Sequence, residues 1–221
     1  MDIKEQFFRD GFVHLNINVT PGALEDLANQ LGKPLKVSKH TLEGSRIIQR
    51  ISDDALLKGY DIPWHNDVSY SQGDFHGAML AYVYDETNTS TEFADCQKAY
   101  EELSPDIRDK LEDAVGKFVV PDYLIDHFGD AQYKLIERNT RYAKLICTHP
   151  ITGKKSLYIS PETIRGINVD NLVKHCEQFT FTHHWKPGDV IIWDNRRMMH
   201  RRPAFEGKRE MWRIGFNYDQ G

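Results

Sequence analysis

Two short stretches, far apart in the chain, constrain this sequence more than anything else in it. The first is Trp64-His65-Asn66-Asp67, an imidazole and a carboxylate with one residue between them. On an extended strand, side chains i and i+2 leave the same face, so His65 and Asp67 can grip one cation together. The second runs Gly188-Asp189-Val190-Ile191-Ile192-Trp193-Asp194-Asn195-Arg196-Arg197-Met198-Met199-His200. It reads as an alternating strand that turns and delivers another imidazole, His200. The two stretches must meet in space for these side chains to act together.

Two histidines and one carboxylate on one side of a metal, with the other side open, is the ligand set of non-haem Fe(II) oxygenases. A His-x-Asp triplet alone is weak evidence, and so is a lone histidine after a strand. The neighbouring cations add to it. Arg209 and Arg213 follow His200 with the i, i+4 spacing that puts both on one face of a strand. Two fixed guanidinium groups a hairpin away from a metal ligand suit a dicarboxylate.

Composition narrows the partners. A formal net charge of −5 over 221 residues leaves no general excess of cations for a nucleic-acid backbone. The local basic run Arg196-Arg197, Arg201-Arg202, Lys208-Arg209 and Arg213 points to small anionic molecules instead. No stretch approaches the apolar length of a membrane span, and the first residues lack the pattern of a signal peptide. Cys96, Cys147 and Cys176 are scattered, which reads as reduced thiols in a cytoplasmic protein.

Along the chain, Gly11–Ile17 alternates as a strand, and Thr20-Pro21 opens a helix that carries Leu24, Leu27, Ala28 and Leu31 and closes at Gly32. Arg46–Ile51 and Gly77–Tyr84 read as strands. After a polar loop over 85–91, a helix is expected with Phe93, Ala94, Tyr100 and Leu103 as its apolar contacts, and Thr91 as a possible N-cap. A second helix is expected from Asp106 to Val115, ended by Gly116. Tyr142–Thr148 and Ser156–Ile159 read as strands around a His149-Pro150…Gly153 turn. Helical pieces are expected near Pro161–Arg165 and Asp170–Gln178, then strands over Val190–Trp193 and Glu210–Phe216. The expected fold is mainly β with flanking helices: one domain with a jelly-roll (double-stranded β-helix) core and a strand-helix extension over about 1–58.

Four blocks resemble the taurine dioxygenase-like Fe(II)/2-oxoglutarate oxygenases. They are Trp64–Asp67; Thr91–Asp95 with Ala99–Leu103; His149–Tyr158; and Pro187–Asp189 through His200. The resemblance implies that His65, Asp67 and His200 bind Fe(II). It implies that Arg209 and the Thr91 hydroxyl hold the distal carboxylate of the co-substrate 2-oxoglutarate, and that Arg213 meets an anionic group of the primary substrate. O2 is the remaining reactant, with succinate and CO2 released as a small metabolite is hydroxylated or oxidatively cleaved. Asn195 is expected to brace the loop before His200. Asp67 argues against halogenation, because halogenating relatives lack that carboxylate. The chain is shorter than is usual for the family, in its N-terminal part and between the Thr91 region and His149, where relatives build active-site covers and oligomer contacts. A homo-oligomer stays possible.

Plainer readings stand beside these. Arg209 could pair with Glu206 or Glu210 at the surface, and Arg213 could support a carboxylate ligand. Asn66 and Tyr70 flank the metal motif as candidate substrate contacts. His14 and His40 read as solvated or packed histidines. His76, His183 and His184 read as solvated loop residues without a carboxylate at ligand spacing, and His149 as a packing or lid residue. Two other functions remain open: a non-catalytic sensor that keeps the site, and a cupin-type dioxygenase that uses no 2-oxoglutarate. A cationic, trimethylated substrate would need an aromatic cage, for which Tyr60, Trp64, Tyr70 and Tyr82 are available.

Overall fold

Strand Asp189–Asp194 is buried at every position, and its alternate residues enter two different cores. Val190 and Ile192 join one cluster, Ile191 and Trp193 another. A strand buried on both faces lies between layers, and that places the site. The computed structural model describes residues 2–37, 39–54, 59–121, 124 and 140–218. Residues 1, 38 and 55–58 of the expected N-terminal extension, and 122–123 and 125–139 of the shortened segment, lie outside these.

In chain order the elements begin with α1 (Ile3–Asp10), β1 (Phe12–Asn16), α2 (Pro21–Leu31), β2 (Lys33–Pro34), β3 (Gln49–Ser52) and β4 (Ile62–His65). They continue with β5 (Gly77–Asp85), β6 (Ser90–Asp95), α3 (Cys96–Glu101), α4 (Pro105–Leu111), β7 (Val115–Phe118), β8 (Arg141–Lys144) and β9 (Ile146–Thr148). The last are β10 (Lys155–Leu157), β11 (Ile164–Arg165), α5 (Asp170–Cys176), β12 (Thr180–His184), β13 (Asp189–Asp194), β14 (Met198–Arg202) and β15 (Arg209–Asn217).

One sheet has the order β1-β13-β5-β15-β2, with β3 also on β15, and a second has β12-β6-β14-β4. The pairings within both are antiparallel, the jelly-roll arrangement the alternation predicts. Helices α1 and α2 cover the outer face of the larger sheet, where Phe7, Leu24 and Leu31 meet Met79, Ile192 and Phe216. The outer face of the smaller sheet carries Trp64, Ala94 and Met199, packed with Ala99 and Cys176 of α3 and α5. Between the sheets the buried core is small, Ala78, Phe93, Ile191, Trp193 and Met198. Beside it opens a cavity lined from both sheets, by Leu80, Trp193 and Arg213 on one and His65, Thr91 and His200 on the other.

Local chemistry explains the element ends. Thr20 Oγ1 accepts from the Ala23 N–H and Pro21 occupies the first turn, an N-cap worth about 1 kcal/mol. Helix α1 has no clear periodic signal in the sequence. Its signals are the Asp2 side chain accepting from the Lys4 N–H and Gly11 at φ 70° after the last turn.

Four expectations are corrected. Phe93 and Ala94 lie on strand β6, not in a helix, because β12 and β14 pair with that segment on both edges. The helix starts only at Cys96, where the Asp95 side chain accepts from the Gln97 and Lys98 N–H groups, so Thr91 is no N-cap. Helix α4 ends at Leu111, and Val115 and Gly116 belong to β7, paired with β8. The run Tyr142–Thr148 breaks into β8 and β9, which pair with different strands, and Ile164–Arg165 is a short strand on β7.

Candidate functional site

Cross-strand register brings the two histidines together. His200 of β14 lies directly opposite His65 of β4, so both side chains leave the same face, with ring centroids 4.1 Å apart. Asp67 joins them, but not by continuing the strand. β4 stops at His65, and Val68, a β-branched residue, takes φ 54°, a left-handed conformation that such residues seldom adopt. The turn is held by Asn195, whose Oδ1 accepts from the Asp67 N–H (2.7 Å) and whose Nδ2 donates to the Asp67 carbonyl (2.9 Å). Asp67 Oδ1 then sits 3.6 Å from His65 Nε2 and 3.8 Å from His200 Nε2.

The protonation states suit a divalent metal. His65 Nδ1 lies 2.8 Å from the Pro63 carbonyl, which can only accept, so the neutral ring carries its proton there and keeps a lone pair on Nε2. Burial, reinforced by His65, lowers His200 to about 3, so it is neutral near pH 7. Burial on its own would raise the Asp67 carboxyl, but Arg213, His200 and His65 outweigh it and hold it well below the usual carboxylate range. Arg213 Nη2 lies 2.6 Å from Asp67 Oδ2. Two imidazoles and one carboxylate, all ligand atoms within 4.8 Å of one another, match the donor set of a facial-triad iron site rather than a three-histidine one.

The triad lies on a cavity of about 260 Å³ that Arg209, Arg213 and Thr91 also line. Both arginines project inward from β15. The irregularity beside them falls in the pairing with β5, where Glu210 is opposite Tyr84 and Met211 opposite Tyr82. The extra residue is therefore Val83, and alternation along β15 survives. Arg209 is 2% exposed. Its Nε donates to Asp85 Oδ2 at 3.3 Å, while Nη2 is a buried donor with no hydrogen-bond partner among the described residues. The surface pairing with Glu206 or Glu210 does not form among the described residues: Arg209 pairs with the buried Asp85, and Glu210 with Arg50. Thr91 Oγ1 accepts from Trp185 Nε1 at 2.9 Å, which leaves the hydroxyl hydrogen free to donate.

The weaker candidates divide. Tyr70 lines the cavity, its hydroxyl raised by burial and by the Asp67 charge. Asn66 also borders it, but its Nδ2 donates to the Asn195 and Met198 carbonyls, so that amide nitrogen braces the turn leading to His200. The aromatic cage is not assembled: among Tyr60, Trp64, Tyr70 and Tyr82 only Tyr70 borders the cavity. Tyr60 is 60% exposed and Trp64 sits in the outer core.

Other histidine expectations are also corrected. His76 is buried. His183 Nε2 lies 3.0 Å from Asp189 Oδ2 and His14 Nε2 lies 2.9 Å from Asp189 Oδ1, so a carboxylate does accompany them, brought across by the Trp185–Gly188 turn. His149 packs, with Nε2 2.9 Å from both Asp194 Oδ2 and the Tyr218 hydroxyl.

Sequence reasoning missed Arg202 and Trp193 as cavity residues. Period-two spacing from His200 was the available signal for Arg202, whose Nη2 donates to the Tyr60 carbonyl; burial, then Arg209, lowers it to about 9. Trp193 Nε1 is a second buried donor without a hydrogen-bond partner among the described residues. Such donors cost roughly 1–3 kcal/mol each when nothing takes them, so a ligand with acceptor oxygens fits this end of the cavity.

The profile described as taurine catabolism dioxygenase TauD, TfdA family matches residues 2–214. The alpha-ketoglutarate-dependent 2,4-dichlorophenoxyacetate dioxygenase of Cupriavidus pinatubonensis is 28% identical over 92% of this chain and 74% of its own length. The (S)-phenoxypropionate/alpha-ketoglutarate-dioxygenase of Sphingobium herbicidovorans is 29% identical over 77% of this chain and 67% of its own. A taurine dioxygenase structure from Burkholderia xenovorans superposes with a TM-score of 0.79 at 22% identity, over 98% of this chain and 79% of that one. The structure of AAD-2 in complex with Mn(II) and N-oxalylglycine gives 0.78 at 23%, over 98% and 86%.

Proposed function

Because this chain belongs to the TauD/TfdA family and is an Fe(II)- and 2-oxoglutarate-dependent dioxygenase, we propose that His65, Asp67 and His200 hold its iron and that Arg209 and Thr91 hold its co-substrate. When bound, Fe(II), O2 and 2-oxoglutarate supply the oxidative chemistry, and the keto-acid leaves as succinate and CO2. One observation carries the assignment: the buried Arg209 guanidinium, its Nη2 without a hydrogen-bond partner among the described residues, borders the same cavity as the His-Asp-His triad. A distal carboxylate would give that Nη2 a charge-assisted partner beside the Asp85 contact of Nε.

The protein's own part is positioning and exclusion. Asn195 fixes the Asp67 backbone from both sides, and Arg213 keeps the carboxylate ionised. Trp185 takes one lone pair of the Thr91 hydroxyl, so its hydrogen turns to an acceptor elsewhere. Ile51, Ile62, Val68 and Leu80 supply an apolar wall, which keeps water from the reacting groups and strengthens every charge contact inside.

The primary substrate in this proposal is a small anion with an apolar body, met by Arg213 and the apolar wall, with Tyr70 and Asn66 at its edge. Relatives named for 2,4-dichlorophenoxyacetate and (S)-phenoxypropionate support a carboxylate. The three free cysteines support a reducing, cytoplasmic compartment. Among the described residues no helix is long and apolar enough to cross a membrane.

Succinate release with Fe(II), O2 and 2-oxoglutarate, across small carboxylates, sulfonates and trimethylated amines, tests the reading. Stimulation by anions is expected, with Arg213→Ala raising the substrate KM while leaving that of 2-oxoglutarate nearly unchanged. Stimulation by the amines alone, or equal effects of Arg209→Ala and Arg213→Ala on 2-oxoglutarate, would contradict it.

A further inference from the structure

We propose that His14, His183 and Asp189 form a second metal site, for a divalent ion of the zinc type, that clips the two sheets together at their edges. β1 is the edge of the larger sheet and β12 the edge of the smaller one, and among the described residues no backbone ladder joins the two. Side chains make the junction instead. Phe12 and Phe181 meet edge to face at 4.7 Å, and two residues on along both strands His14 and His183 meet at 5.0 Å.

Between the two imidazoles stands Asp189, the first residue of β13. Its carboxylate is almost fully buried and held from behind, Oδ1 by Asn16 Nδ2 at 3.1 Å and Oδ2 by the Lys186 N–H at 2.8 Å. His14 and His183 approach the two oxygens separately, each through Nε2. The ligand atoms of the three residues lie within 4.8 Å of one another, and this is one of two such groups among the described residues, the other being the catalytic triad.

The donor set fits the ion. Two imidazole nitrogens and one carboxylate oxygen suit a borderline metal of the zinc series, whereas magnesium and calcium want more oxygens. To bind, each imidazole moves its proton from Nε2 to Nδ1, which has no protein hydrogen bond among the described residues. Two N–H···O contacts are exchanged for ligand bonds, and water on the half-exposed His14 side completes the shell. The cavities at Arg209, Asp74 and Gly59 lie elsewhere, and the proposed role of this site is structural.

Zinc alone is the probe, titrated into the full-length protein against a chromogenic chelator. The wild type is expected to take two equivalents, and the His65→Ala/Asp67→Ala variant one. In that variant zinc should raise Tm, and adding His14→Gln should weaken the remaining equivalent at least ~10-fold and erase the Tm shift. No equivalent in the His65→Ala/Asp67→Ala variant, or one that is indifferent to His14→Gln, overturns the proposal. Because this readout is taken with the catalytic triad removed, its failure leaves the catalytic assignment untouched.

Discussion

The molecule carries two clusters of the same composition, two histidines and an aspartate, and they face opposite fates. In the inner one, His65, Asp67 and His200 open onto a cavity that also exposes Arg209, Arg213 and Thr91. The outer one, His14, His183 and Asp189, opens to solvent across a sheet edge. Their carboxylates differ as well. Asp67 is countered by a guanidinium, a full charge that keeps it ionised in a buried place. Asp189 is held by an amide and a backbone N–H. The donor set alone therefore does not make a catalytic site. A room for substrate, a buried guanidinium whose Nη2 has no hydrogen-bond partner among the described residues and a rigid brace do.

The comparison breaks most sharply at the inner histidine. His65→Ala is expected to lower succinate formation by ~10³-fold or more with an unchanged circular dichroism spectrum. Near-normal turnover would remove the triad from the mechanism. Next in size, Arg209→Ala should raise the 2-oxoglutarate KM by about 30–150-fold, the equivalent of a charge-assisted contact of roughly 2–3 kcal/mol, measured by initial rates at varied co-substrate.

Asn195→Ala probes the brace. It deletes both hydrogen bonds to the Asp67 backbone and should weaken Fe(II) binding about 10–100-fold, read by metal titration, with smaller change in the 2-oxoglutarate KM. The smallest effect belongs to the outer cluster, where His14→Gln should change kcat less than about twofold. A large loss there would couple the two clusters and undo the contrast.

Much of the inner site is legible in the sequence because its signals are local. His65 and Asp67 sit one residue apart, His200 ends an alternating run, and Arg209 and Arg213 share a strand face. The jelly roll is equally legible where strands alternate between two cores, as in Ile191 and Trp193 against Val190 and Ile192. What the sequence hides is pairing at a distance. Phe93-Ala94 with Ala99-Tyr100 has helical content, and only β12 and β14 on its flanks hold Ser90–Asp95 extended. His183 looks solitary because its carboxylate, six residues on, is folded back by a turn, and its second partner His14 comes from the other end of the chain. Asp67 is fixed beside the histidines by the distant Asn195, and the chain then turns away through a left-handed Val68 that no propensity would select. Arg202, by contrast, obeyed the same alternation as His200 and was there to be read.

The central claim is that one cavity holds both iron and keto-acid, with Arg209 as the anchor of the latter. The most direct measurement is an anaerobic visible difference spectrum as 2-oxoglutarate is added to the Fe(II)-loaded protein. The account predicts a metal-to-ligand charge-transfer band that saturates with 2-oxoglutarate, is absent in His65→Ala, and needs far more co-substrate in Arg209→Ala. Iron demonstrably bound with no band, or a band indifferent to Arg209, would contradict it.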